Sequence, residues 1–458
     1  MEISWWGNDC HLRQHVERGV NKGECARESR TRMTPAARIS AAIEVLDDIQ
    51  ARRRPASDAL KDWGLAHRFA GSKDRAAIAS LAYDALRRQA SAAFIMGSDA
   101  GRAQLLGALA LQRGMDAEAI GALCSGERFA PAPLSDDERR RLSARDLSGA
   151  PAHIRADAPE WLWPRLEAAF GDEAIAEVAA LGGRAPVDIR INSLKTLRDV
   201  IRPKLSHLNP VDTPWSPVGL RFDAGEGGRG PALQALPEFI KGQFEIQDEG
   251  SQLVAAMSGV EPGWQVLDLC AGGGGKTLAL AGLMNNSGQI FATDIDARRL
   301  APIHERLERA GVRNAQVRTP RGREDDPIAD LRGKMDLVLV DAPCTGTGVW
   351  RRNPDAKWRM RPGALEQRIL EQDHVLVHAA ELVKPGGRIA YITCSMLPDE
   401  NDARITHFLR THPDFALIDP RETLAIAPDA LAEREDIVSP GGQGIQLSPH
   451  RTGTDGFY

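Results

Sequence analysis

The sequence predicts a Rossmann-like α/β domain in its C-terminal half, preceded by a small α/β connector and an all-α domain. Three observations predict it. From about residue 245 short apolar runs alternate with helical patterns, as in a parallel sheet covered on both faces. Before about residue 150 apolar positions recur at helical spacing and strand-like runs are scarce. The 458 residues exceed what one hydrophobic core serves, and roughly 150 residues per domain gives two or three domains.

Residues 1–32 are charged, lack periodicity and carry a Trp pair; they are expected to be a disordered arm or to precede a natural start at Met33. The stretch TPAARISAAIEVLDDIQ then puts Ile39, Ala42, Ile43, Leu46 and Ile49 on one helical face. DRAAIASLAYDALRRQ does the same with Ile78, Leu81, Ala82, Ala85 and Leu86, and an Ala/Leu-rich stretch follows at 103–112. In SDDERRRL, Ser135 and Glu138 form a capping box. Residues 33–150 therefore read as the all-α domain. After a Pro-rich boundary, PEWLWPRLEAAFG and DEAIAEVAALGG read as helices closed by glycine. PVDIRINSLK alternates Val187, Ile189 and Ile191 as a strand should. Residues 151–240 form the connector, including a Gly/Arg-rich loop at 225–231, and 241–458 the Rossmann-like domain. Its strands are WQVLDLC (264–270), GQIFATD (288–294), NAQVRT (314–319), MDLVLVD (335–341) and GRIAYITC (387–394). Ligands of such sheets bind at the C-terminal strand ends near the switch in strand order.

Composition narrows the class. Hydrophobic residues at 42% and charged residues at 26% are ordinary for a globular chain. No run approaches eighteen apolar residues and the N-terminus lacks the apolar core of a secretory signal, so a soluble cytoplasmic protein is expected. Six cysteines, never as CxxC, argue against a disulfide framework or a zinc ribbon, and no metal is expected. With 58 Lys+Arg against 63 Asp+Glu, the net charge of −5 carries no global nucleic-acid signature, which leaves only a local basic surface.

The first strand of the Rossmann-like domain runs into DLCAGGGGKT, whose glycines let backbone N–H groups approach an anionic ligand. A P-loop requires glycine where Cys270 stands, and a dinucleotide fingerprint requires glycine where Thr277 stands. A methionine-nucleoside site survives: S-adenosylmethionine has no phosphates, its carboxylate can use the loop amides and Lys276, and its ribose wants a carboxylate ending the second strand. Asp294 occupies that position. A tightly packed βα turn without ligand is the alternative reading.

Two cysteines lie just past neighbouring strands, Cys344 in DAPCTGTG and Cys394 in YITCSMLPDEN. The usual doubly wound strand order makes them face one cleft beside the donor loop. Carbon 5 of cytosine is a poor nucleophile, so methylating it requires a thiolate to attack carbon 6 first. A base must then remove the carbon 5 proton, and a second thiol or a water can assist. Asp341 could hydrogen-bond ring nitrogen 3 and stabilise the adduct. The other cysteines read as small buried hydrophobes.

These residues resemble the Sun (Fmu) family of RNA cytosine carbon-5 methyltransferases, closest to its bacterial 16S ribosomal RNA members. The resemblance covers about 155–458 and rests on DLCAGGGGKT, FATDID, LVDAPCTGTGVWRRNPD, GGRIAYITCS with PDEN, RINSLK, IQDEGSQL and the final DGFY. It implies an S-adenosylmethionine-dependent methyltransferase domain, with Cys394 as nucleophile and Cys344 assisting product release. Donor contacts are implied for Cys270, Ala271, Gly272, Gly273, Gly274, Gly275, Lys276, Asp294 and Asp341. Residues 33–150 resemble a NusB-type RNA-binding domain. Gly stands where the family loop usually has Pro, and after the third strand VRTPRGREDD offers only Asp325 or Asp326 for the usual acid near the adenine.

RNA is the expected partner, ribosomal RNA first, and the protein is expected to be a monomer. WRRNPDAKWRMR (350–361) sets Arg351, Arg352, Lys357, Arg359 and Arg361 beside Trp350 and Trp358, a candidate rim for an extruded base; a solvated basic helix with packed Trp residues is the plainer reading. Arg190, Asn192 and the arginine triplets at 52–54 and 139–141 are further candidates, against ordinary surface roles. The alternatives are the same chemistry on transfer RNA, a DNA cytosine methyltransferase, and a non-enzymatic RNA-binding ribosome-assembly factor.

Overall fold

The computed structural model describes residues 33–225, 230–322, 325–425, 427 and 429–458. The expectations for residues 1–32, Cys10 and Cys25 among them, and for the centre of the 225–231 loop lie outside the described residues.

Seven helices build the N-terminal unit: α1 (Pro35–Arg52), α2 (Ala56–Ala66), α3 (Ser72–Arg87), α4 (Gln89–Met96), α5 (Gly101–Leu111), α6 (Ala117–Leu123) and α7 (Asp136–Ala144). Thr34 starts α1 by accepting from the Ala37 amide at 3.1 Å, and Pro35 fits the first turn because no N–H is needed there. Ser135 and Glu138 make the reciprocal capping box expected for α7. Ile39, Ala42, Leu46 and Ile49 pack against Ile78, Leu81, Ala82, Ala85 and Leu86 of α3 and the leucines of α5, whereas Ile43 is only partly buried.

Helices α8 (Trp163–Phe170) and α9 (Ala174–Ala180) follow. Their apolar residues join Trp350, Leu365, Met396 and Leu397, so they brace the far side of the strand ends where the cysteines lie. Strands β1 (Val187–Ile191), β2 (Val211–Asp212), β3 (Gly219–Phe222) and β4 (Phe244–Ile246) form an antiparallel sheet in the order β2-β3-β1-β4, whose last strand comes from beyond residue 240. Ile189, Ile191, Leu220, Phe222 and Phe244 fill one face. The other face is also buried although its residues are polar. Asp188 holds Arg221 at 2.7 and 2.8 Å and Arg190 donates to Gln247 at 2.6 Å. Glu245 pairs with Arg306 and Arg309 of the Rossmann-like domain. The alternation of β1 therefore marks an apolar core and a polar seam rather than core and solvent.

The second sheet has β5 (Gln265–Asp268), β6 (Gln289–Ala292), β7 (Ala315–Val317), β8 (Met335–Asp341) and β9 (Val383–Ile392), all parallel, in the order β7-β6-β5-β8-β9. All five match runs expected from the sequence. Helices α10 (Glu249–Ala256), α11 (Gly275–Leu283), α12 (Ile303–Ala310), α13 (Pro362–Leu382) and α14 (Asp402–Thr411) cover it. Successive strand residues point to opposite faces. Val266, Ile290, Leu337 and Leu339 meet α10 and α11, while Leu267, Phe291, Val338 and Val340 meet the end of α13. No helix among the described residues is long and apolar enough to cross a membrane.

Of the rim candidates in residues 350–361, Arg352, Arg359 and Arg361 are exposed, while Trp350, Arg351, Lys357 and Trp358 pack into the protein. Trp350 and Lys357 are buried, and the Lys357 ammonium donates to the carbonyls of Arg87 and Asp157 at 3.1 and 2.7 Å. Trp358 packs on the helical core and donates from Nε1 to the Leu86 carbonyl at 2.7 Å. Arg351 and Arg352 are held by Asp248 and Asp455. This segment fastens the helical unit to the Rossmann-like domain, because Lys357 and the Trp358 indole satisfy carbonyls at the C-terminus of α3. Asn192 is likewise a tie, donating to the carbonyls of Gly242 and Ala310 at 2.8 Å each.

Candidate active site

The glycine loop leaves β5 and enters α11 at the expected switch point between β5 and its neighbours β6 and β8. Ala271 donates to the Thr293 carbonyl and Gly272 to Asp294 Oδ2, both at 2.9 Å, which ties the loop to the end of β6. The Gly273 carbonyl accepts from Arg306 at 2.6 Å. Gly274 has φ +83°, and a Cβ there would meet Ile303 Cγ1 at 2.4 Å, so only glycine serves. Gly275 opens α11, and no side chain caps it, which leaves a helix N-terminus suited to a carboxylate. The Cys270 thiol is pushed far up by burial and by Asp294 and Asp341, which makes it an inert wall.

Two carboxylates, Asp341 and Asp268, act on Lys276. Its ammonium lies 2.6 Å from Asp341 Oδ2. Burial opposes the charge, but Asp341, Asp268 and Cys394 together hold the Lys276 pKa above its ordinary value. Lys276 thus connects the glycine loop to the sulfur site. Asp268 is pushed up to about 7 by burial, with Thr277 pulling the other way and Asp341 adding to the rise. Its Oδ1 is buried without a partner. Asp294, almost fully buried, accepts from Gly272 and from the Asp296 amide, and beside it Ile295 is 96% exposed. Asp325 accepts from the Arg321 amide and Asp326 pairs with Arg332, so each has a local partner.

Strands β8 and β9 end in register, with Asp341 opposite Ile392. The turns beyond them bring Cys344 Sγ within 3.3 Å of Cys394 Sγ. The hydrogen bond with Cys394 and burial hold the Cys344 thiol well above its ordinary value. The turns are cross-braced. Gly348 donates to the Cys394 carbonyl and Gly456 to the Gly348 carbonyl, each at 2.9 Å. A Cβ on Gly348 would lie 2.2 Å from the Gly456 carbonyl oxygen. Tyr458 exchanges backbone hydrogen bonds with Thr393 at 2.9 and 3.2 Å.

Every residue singled out from the sequence for the loop and the thiol pair is gathered here. Sequence reasoning missed Glu400, Gln372 and Thr347. Glu400 lies in PDEN, and a charged residue three places past Leu397, the apolar end of the strand turn, was the available signal. Gln372 and Thr347 gave none. Cys124 is elsewhere, in the helical core.

A family model described as 16S rRNA methyltransferase RsmB/F matches residues 256–458. The ribosomal RNA small subunit methyltransferase B of Sodalis glossinidius is 33% identical over 357 residues, covering 77% of this chain and 73% of that protein. The same-named protein of Erwinia tasmaniensis is 34% identical over 306 residues, covering 66% of this chain and 65% of the relative's length. Among solved structures, PH0851 superposes with a TM-score of 0.67 at 26% identity, covering 93% of this chain and 98% of that one. The chain belongs to the 16S rRNA methyltransferase RsmB/F family.

Proposed function

We propose that this chain methylates carbon 5 of a cytosine in ribosomal RNA of the small subunit, using S-adenosylmethionine and a covalent adduct on Cys394. The observation that carries the reading is the pair of sulfurs 3.3 Å apart at the ends of β8 and β9, joined through Lys276 to the glycine loop. The substrate follows the names of the relatives, and residues 33–150 are proposed to form the NusB-type RNA-binding domain.

The residues present fit the donor. The uncapped first turn of α11 suits its carboxylate, Asp294 its ribose diol, and exposed Ile295 one face of its adenine. The orphaned Asp268 oxygen leaves a polar position for the methionine end. When bound, the donor supplies an electrophilic methyl group.

Cys394 attacks as the thiolate, and the new bond joins its sulfur to carbon 6 of the cytosine. As the ring gains electron density, nitrogen 3 takes up a proton from water and donates it in a hydrogen bond to the Asp341 carboxylate, which Lys276 holds; that proton returns to water when the adduct breaks down. Carbon 5 takes the methyl group. A base then removes the carbon 5 proton, the sulfur–carbon 6 bond breaks, and its electron pair returns to Cys394. Cys344, beside that sulfur, takes part in this release.

Cys394→Ala is expected to abolish tritiated-methyl transfer to 16S RNA while calorimetry still shows donor binding. Cys344→Ala is expected to permit attack and to trap a protein–RNA complex that survives a denaturing gel. An active Cys394→Ala protein would overturn the assignment. Bisulfite sequencing of RNA from a strain lacking the gene separates ribosomal from transfer RNA.

A further inference from the structure

We propose that Glu400 is the positioning residue of the two-sulfur site: one buried carboxylate ties the Cys344 turn to the Cys394 turn and sets its negative charge beside Cys344. The inference rests on the reading of Cys394 as nucleophile. Glu400 is fully buried. Its Oε1 accepts from the Thr345 amide at 2.8 Å and from Gln372 Nε2 at 2.9 Å. Its Oε2 accepts from the hydroxyls of Thr345 and Ser395. Thr345 follows Cys344 and Ser395 follows Cys394, so the carboxylate bridges the neighbours of both sulfurs.

Gln372 completes the brace. The same Nε2 also donates to the Pro343 carbonyl at 2.9 Å, so the residues on both sides of Cys344 are held. Thr347 closes a smaller link by sharing a hydrogen bond with Ser395 Oγ at 3.1 Å and accepting from the Met396 amide at 2.7 Å. All four partners of the Glu400 carboxylate are present as donors. An amide at this position would keep one oxygen to accept from the Thr345 amide and Gln372 and could donate to the two hydroxyls, which also accept, so Glu400→Gln removes the charge while leaving most of the hydrogen-bond frame available. Lys276 pairs with Asp341 and lies near Cys394. The negative charge of Glu400 acts on Cys344. Thiolate charge is thus disfavoured on Cys344.

The test reads thiol chemistry directly and needs neither RNA nor donor. Iodoacetamide alkylation of Cys344 and Cys394 is followed by peptide mass spectrometry from pH 6 to 10 in the full chain, in wild type and in Glu400→Gln and Thr345→Val. In wild type Cys394 is expected to react first and Cys344 to be spared. Glu400→Gln is expected to raise the Cys344 rate relative to Cys394 by about tenfold, the change in thiolate fraction for one unit of pKa. Thr345→Val keeps the charge and removes one hydroxyl donor, so it should retain the wild-type selectivity; this variant also guards against a Glu400→Gln protein that does not fold. In methyl transfer, Glu400→Gln should lower kcat with little change in KM for the donor. An unchanged alkylation ratio in folded Glu400→Gln, or a ratio lost equally in Thr345→Val, overturns the proposal. Failure of wild type to form 5-methylcytosine would instead overturn the function, with the alkylation result still standing.

Discussion

At the residue scale, Asp268 shows how a buried carboxyl of the site couples stability to pH. It ends β5 with one oxygen accepting from Thr277 at 2.7 Å and the other buried without a partner. Burial lifts its pKa from 3.8 to about 7. Between those values the folded state holds a proton that the unfolded chain has released. The contribution of this group to stability is therefore largest at the acid end of the window and is lost as pH rises through about 7. Asp268→Asn removes the titration. The melting temperature of the variant minus that of wild type should rise steadily across this window; a flat difference would mean that the carboxyl is ionised throughout. Asp294, at the end of the neighbouring strand, is instead anchored by two backbone amides.

At the element scale, two helix starts carry separate jobs. The start of α7 serves stability alone: Ser135 and Glu138 satisfy each other's backbone N–H groups on the surface of the helical unit. Ser135→Ala should cost about 1 kcal/mol in urea denaturation and leave donor binding unchanged. The start of α11 serves the ligand, since no side chain caps it and Gly274 must pack against Ile303. Gly274→Ala adds a Cβ in a left-handed conformation against a branched side chain, for roughly 1–3 kcal/mol of destabilisation. It should also weaken donor binding in calorimetry, because the amides of the first turn move with it. Strand ends behave in the same way: β8 and β9 are held in register, and the cysteines inherit their separation from that register and from the Glu400 brace.

At the scale of the whole molecule, residues 350–361 join the two large units. Burial lowers the Lys357 pKa to about 8, with Asp157 partly offsetting it. The unfolded lysine keeps its proton to about 10.5, so between these values the unfolded chain binds more protons and stability rises with pH. The cost of burying the charge is fully present below about 8. Lys357→Met should flatten that dependence in pH-resolved thermal melts. Trp358→Ala removes an aromatic ring from the helical core together with its bond to the Leu86 carbonyl. It should cost roughly 3 kcal/mol. Calorimetry should show the helical unit unfolding earlier while the transition of the Rossmann-like domain moves little. A segment that looked from its composition like an RNA surface is therefore a joint, placed directly after the Cys344 turn.

What the sequence by itself determined is local. The five strands, the apolar faces of α1 and α3, the α7 capping box and the glycine turn are written in periods and spacings of a few residues. Parallel strand order then places Asp294, Asp341, Cys344 and Cys394 at one edge of the sheet, because a strand end is a position along the chain as well as in space. Only the tertiary structure decided the rest. Lys357 and Trp358 carry the same charge and ring whether they meet RNA or the carbonyls of α3, and the packing of another domain made the choice. The polar face of the β1 sheet looked ready for water until α10 and α12 covered it. Glu400 became central only when two turns, fifty residues apart in the chain, closed around it.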